Sequence, residues 1–110
     1  MIIEISGRHF HVTDALREHV TQKIQKMDKY ALKIVAVHVI FEVQKIHQIT
    51  EITVLGKNLR LTAKEKAADM YVSFDQTFHS IQLQLGKLHD RLKDHKGRRY
   101  GVKEENALEL

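Results

Sequence analysis

The hydrophobic pattern predicts an α+β fold. Its elements follow the order β-α-β-β-β-α, as a two-layer sandwich with two helices packed on one face of a four-stranded sheet. Three observations carry this expectation. Residues 14–30, and the stretch from Asp69 toward Gly97, repeat apolar residues at helical spacing. Between them, three segments alternate apolar and polar residues as strands do. A further short strand pattern precedes the first helix, and 110 residues suffice for one core and one domain.

The elements follow from the residues in order. Residues 1–6 are rich in isoleucine and alternate weakly, and Gly7 is read as the end of that strand. Thr13 is the expected N-cap of the first helix, with Asp14 favourably placed in its first turn. Leu16, Val20, Ile24 and Met27 form its apolar stripe, with Ala31 continuing the series. Arg17, Gln22, Lys26 and Lys29 mark its polar side, and Lys23 stands at the stripe's edge. Residues 34–43 are the clearest strand, apolar on both sides near the middle, and residues 44–48 should turn the chain. Residues 50–55 are β-branched and alternating, a second strand of the meander. Gly56-Lys57-Asn58 has turn chemistry, because glycine and asparagine tolerate positive φ. A third strand from Leu59 to Lys64 then puts Arg60, Thr62 and Lys64 on a partly open face, and residues 67–69 lead into the last helix. Asp69 should cap that helix, whose stripe is Phe74, Phe78, Ile81, Leu85, Leu88 and Leu92, extended by Met70 and Tyr71. Val72 and Leu83 defy the stripe, as plain exposed residues or as a small contact surface.

Composition narrows the functions. There is no cysteine, hence no disulfide framework and no thiolate metal site. No apolar run reaches the roughly 18 residues of a membrane helix, and the N-terminus lacks a signal-peptide pattern. A cytoplasmic location is expected. No glycine-rich phosphate loop or nucleophile elbow occurs, so no catalytic residue, no cofactor and no metal is expected. His9-x-His11 could set two imidazoles on one side of an extended segment, but no third ligand is evident. His38 falls either on the open sheet face or inside, satisfied by a partner.

The charge is unevenly spread. The net is +4, and residues 86–101 hold Lys87, Arg91, Lys93, Lys96, Arg98 and Arg99 against Asp90 and Asp94. A basic block on a balanced domain is an electrostatic footprint for a polyanion. Bases near a helix C-terminus also complement its dipole, so a solvated helix end is the alternative. The tail from Val102 is polar and acidic, and residues 97–110 are read as a flexible basic-then-acidic tail after a domain of residues 1–96.

Two groups of residues then stand in order along nearly the whole chain. The first is ISG at 5–7 and VTDALREHV at 12–20, followed by Lys23 and Lys26. The second is DMY at 69–71, Asp75 and QLGK at 84–87. Together they resemble the short ribosome hibernation promoting factors, the family that includes the ribosome-associated inhibitor of translation, also known by the name sigma-54 modulation proteins. The resemblance implies the same element order and a fold similar to double-stranded RNA-binding domains. It implies binding to the small ribosomal subunit, to its rRNA and ribosomal proteins, in the cleft shared by messenger and transfer RNA. Translation would be inhibited in slow growth or stationary phase, with no reaction catalysed and no small-molecule substrate, by a protein that is monomeric off the ribosome.

Lys23, Lys26 and Lys87 match positions usually basic in that family. Tyr71 matches its usual tyrosine, either packing against the sheet or meeting RNA. With the other bases, the expected rRNA-binding set is Lys23, Lys26, Lys29, Lys64, Lys66, Tyr71, Lys87, Arg91, Lys93, Lys96, Arg98 and Arg99. The chain departs from the family where Ser80, Leu83 and His89 replace further bases, which moves the basic load toward the helix end. The chain is expected to do without the second domain with which long members pair ribosomes, so assistance in ribosome dimerisation would need another protein. The short acidic tail leaves open whether the chain is of the dimer-promoting or the inhibitor type. Two alternatives remain: a generic structured-RNA-binding module, or a protein-interaction regulator, such as of an alternative sigma factor, working through Val72, Leu83 or the open sheet face.

Overall fold

β1 (Ile2–Arg8), α1 (Asp14–Gln25), β2 (Ile34–Gln44), β3 (His47–Gly56), β4 (Leu59–Ala67) and α2 (Met70–Gly97) follow one another in the expected order. The computed structural model describes residues 1–27 and 33–97, the last six of these by their backbone alone. The sheet order is β1-β2-β3-β4. β1 and β2 run parallel because α1 carries the chain back between them. β2, β3 and β4 form an antiparallel meander.

Register decides which residues meet the helices. Val37, Val39 and Phe41 of β2 lie opposite Val54, Ile52 and Thr50 of β3, and Leu61 and Ala63 of β4 continue the first two rows. The β2 and β3 members are sealed from solvent. Over them pack Leu16, Val20, Ile24 and Met27 near α1, and Met70, Phe74, Phe78, Ile81 and Leu85 of α2. The ring of Phe74 lies 6.2 Å from that of Phe41 and stacks on Phe78 at 5.7 Å. Both helices thus cover one face. The opposite face carries the rows Glu4–His38–Thr53–Thr62 and Ser6–Ile40–Glu51–Lys64. His38 belongs there, 3.3 Å from a carboxylate oxygen of Glu4.

The caps form as expected. The Leu16 N–H donates to Thr13 Oγ1 at 3.1 Å. Asp69 Oδ1 accepts from the N–H groups of Tyr71 at 2.8 Å and Val72 at 3.1 Å. Each cap satisfies donors that the helix itself leaves unpaired.

Several boundaries move from their sequence positions, each for a physical reason. α1 ends at Gln25 rather than near Tyr30: the Lys26 N–H turns back to the carbonyls of Lys23 and Ile24, tightening the last turn. Residues 28–32, with Lys29, Tyr30 and Ala31, lie outside the described residues. The expected five-residue turn contracts to Lys45 and Ile46, with Lys45 at φ 58°, so β3 begins at His47. Gly7 does not end β1 but pairs with Phe41, and the strand continues to Arg8. A Cβ at Gly7 would overlap the carbonyl oxygen of Phe10, so glycine is there for a close approach. Gly56 serves likewise, because a Cβ would strike the Lys33 carbonyl; Asn58, not Gly56, takes positive φ in the next turn. Ala67 closes β4, paired with Gln48, instead of leading into α2. α2 runs to Gly97, where a break is expected, and residues 98–110 lie outside the described ones.

Candidate nucleic-acid interface

α2 is held across β3 and β4 by a buried polar seam. The Ser73 hydroxyl lies 2.8 Å from Thr50 Oγ1 and 3.1 Å from the Glu65 carbonyl oxygen. The Thr77 hydroxyl reaches the carbonyls of Ser73 at 2.7 Å and Thr50 at 3.3 Å. All three side chains are fully buried, so these partners offset the cost of removing them from water. At the sheet edge, Gln84 Nε2 donates to the Thr62 carbonyl oxygen at 3.3 Å. Ser73 and Thr77 are missing from the apolar stripe, yet stand beside Phe74 and Phe78 at spacing four. That spacing is the sequence signal that marks them as inward-facing.

α1 and α2 meet through His19. Its Nε2 lies 2.9 Å from Asp75 Oδ1, and its ring stands edge-on to Tyr71 at 5.2 Å and Phe74 at 5.7 Å. Tyr71 therefore packs edge-on against His19 of α1 and is 39% exposed. The topology makes the two helices run in the same direction, since each returns antiparallel to β2 and β4, which share a direction. One turn beyond the His19–Asp75 contact, Lys23 of α1 comes level with His79 of α2.

On that outer layer are two shallow grooves. One, of about 390 Å³, is lined by His19, Gln22, Lys23, Gln25 and Lys26. The other, of about 430 Å³, is lined by His79, Gln82, Leu83, Gly86, Lys87 and Asp90. Arg91 follows Lys87 by one turn and is half-buried. Lys26 and Lys87 are exposed, and Lys23 is half-buried. Among the described residues, no acidic group lies within 4.0 Å of the cations of Lys23, Lys26, Lys64, Lys66, Lys87 or Arg91. Asp75 faces His19 instead, and Asp90 lies 3.4 Å from His89 Nδ1. Positive charge that no described acid neutralises is available to an external anion.

The expected site set divides between two surfaces. Lys23, Lys26, Lys87 and Arg91 share the helix layer. Lys64 and Lys66 are exposed on the far side of the sheet, where they line a shallow recess of about 310 Å³ with Ile49 and Glu65. Lys93 and Lys96 lie on the backbone of α2, but their side chains fall outside those described, as do Lys29, Arg98 and Arg99 entirely. Val72 and Leu83 are 46% and 54% exposed, on the outward side of α2. The extended His9-x-His11 segment does not form, since His9 takes φ 55° and turns the chain. Among the described residues no three His, Asp or Glu side chains are placed to hold a metal ion. No described helix is long and apolar enough to cross a membrane.

Comparison with known proteins places this architecture. Residues 3–93 match the family model described as sigma 54 modulation protein / S30EA ribosomal protein. The ribosome hibernation promoting factor of Escherichia coli K12 is 33% identical over 95 residues, covering 86% of this chain and all of that protein. The protein of the same name from Azotobacter vinelandii is 34% identical over 87 residues, covering 79% of this chain and 81% of its own length. The ribosomal subunit interface protein of Coxiella burnetii superposes with a TM-score of 0.72 at 26% identity, over 80% of this chain and 97% of that one. The N-terminal domain of Thermus thermophilus Protein Y superposes with a TM-score of 0.74 at 25% identity, over 80% and 99%.

Proposed function

The chain belongs to the sigma 54 modulation protein / S30EA ribosomal protein family, and from that premise we propose that it is a ribosome hibernation factor. It binds the small ribosomal subunit in the cleft where messenger and transfer RNA sit, and it inhibits translation when growth slows. The observation that supports this reading is the set of cations on the helix layer, Lys23, Lys26, Lys87 and Arg91, beside which no acid lies within 4.0 Å among the described residues. It belongs to a chain whose relatives are named for ribosome hibernation.

The physics is that of structured RNA. Closely spaced phosphates favour a ridge of bases that reads shape and backbone rather than sequence. Binding releases counterions and weakens steeply with salt. Inhibition then needs only occupancy, with no catalysed step and no cofactor. Lys64 and Lys66, on the opposite face, meet a second wall of the cleft. Residues 1–96 act as the binding unit, with Lys29, Lys93 and Lys96 adding to its charge, Arg98 and Arg99 following it, and Tyr71 lying at its margin. The partners are rRNA and ribosomal proteins of the small subunit, the location is the cytoplasm, and the free protein is a monomer.

The test is a sucrose gradient of ribosomes with and without the protein, together with cell-free translation. Co-migration with small subunits and a dose-dependent loss of translation support the reading. Accumulated paired ribosomes would add the dimer-promoting role. Migration only at the top of the gradient refutes it.

A further inference from the structure

Gly86 lies in the interior of α2, where glycine is the poorest helix former apart from proline. The fold does not ask for it. Gly7 and Gly56 each stand against a backbone carbonyl that a Cβ would strike, but around Gly86 nothing lies within 4 Å of where a Cβ would be. The missing side chain therefore leaves a notch that opens outward.

The surroundings of the notch have a definite chemistry. It lies in the groove lined by His79, Gln82, Leu83, Lys87 and Asp90. Lys87 is exposed and, among the described residues, has no acid within 4.0 Å. Leu83, one turn before it, is 54% exposed. A protein helix docking here would need a continuous apolar strip. The outward line of α2 instead reads Val72, Gln76, His79, Leu83, Gly86 and Asp90, with polar or charged groups at three of its six positions. A cation, an apolar side chain and a gap between them suit a sugar–phosphate chain better.

We infer that Gly86 is the point where a ribose–phosphate backbone of rRNA comes into close contact with α2. Lys87 takes the adjacent phosphate, and Leu83 lies under the sugar. Asp90, one turn further on, repels a second phosphate, so the RNA backbone crosses the helix instead of following it. This inference rests on the ribosome-binding reading above and deepens it.

The experiment is Gly86→Ala, with Gly86→Val as a larger step, measured for melting temperature and for binding to purified small subunits. The alanine variant should melt higher, by about 4 °C or more, yet bind at least tenfold more weakly, and valine should bind more weakly still. Wild-type affinity in the alanine variant overturns the inference, as does a lower melting temperature, which would mean that the fold itself uses the glycine. Absence of wild-type binding overturns the underlying reading, and the inference with it. Because the chain has no cysteine, Gln82→Cys can carry a photocrosslinker to a single position in the groove. Crosslinks to rRNA are expected, and crosslinks to ribosomal protein alone overturn the RNA assignment.

Discussion

Replacing Lys23, Lys26 and Lys87 together by glutamine would remove three charges from the helix layer without breaking an ion pair among the described residues. Among the described residues none of the three has an acidic partner within 4.0 Å, and none is buried. Surface changes of this kind alter stability by about 0.5 kcal/mol or less each, so the folded state survives. Each phosphate contact contributes roughly 0.7–0.9 to the slope of log affinity against log salt. Losing three contacts should flatten that slope by about 2.1–2.7. Extrapolated from 1 M salt, the same loss is roughly 50- to 170-fold in affinity at 0.15 M. The assay is fluorescence-detected titration of small subunits at several salt concentrations, with circular dichroism to confirm folding. A folded triple variant with unchanged slope would refute the assignment of these lysines to phosphate contacts.

Other substitutions test the remaining parts of the structure. Phe74→Ala removes a fully buried ring packed on Phe41 and Phe78, and denaturant unfolding should show a loss of about 3–5 kcal/mol. Thr77→Ala cuts the buried seam to Ser73 and Thr50 and should cost about 1–3 kcal/mol in the same measurement. Gly7→Ala forces the Phe10 carbonyl to move and should cost about 1–3 kcal/mol, whereas Gly86→Ala should gain about 1 kcal/mol. Lys64→Gln with Lys66→Gln should flatten the salt slope by about 1.4–1.8 on intact small subunits. On an isolated rRNA duplex, which meets only one face at a time, the pair should have little effect.

Much of the fold was legible because its signals are local. Period-two alternation marks β2, helical spacing marks both stripes, and Thr13 and Asp69 announce helix starts through side-chain chemistry alone. The misplaced boundaries depend on tertiary contacts. Lys45 and Ile46 have no turn signature, yet form the β2–β3 turn with Lys45 in the left-handed region. Gly7 reads as a strand terminator until the fold brings Phe10 against it. The spacing of Ser73 and Thr77 points them inward, but their hydrogen-bond partners are set by Thr50 of β3, distant in the chain. The division of the basic residues between the helices and the open sheet face was legible too, because strand alternation sets which face a residue takes. The register bears out Lys64 on the open face, as its alternation in β4 implied. Tyr71 shows the same limit as Ser73 and Thr77, since its neighbour His19 is far away in the chain.

The central claim is that the helix layer docks where messenger and transfer RNA bind on the small subunit. The most direct measurement is co-sedimentation with purified small subunits while messenger and initiator transfer RNA are added together. One protein should bind per subunit, and the added RNAs should displace it in proportion to their own occupancy. Absence of binding, or binding that these RNAs leave undiminished, would contradict the account.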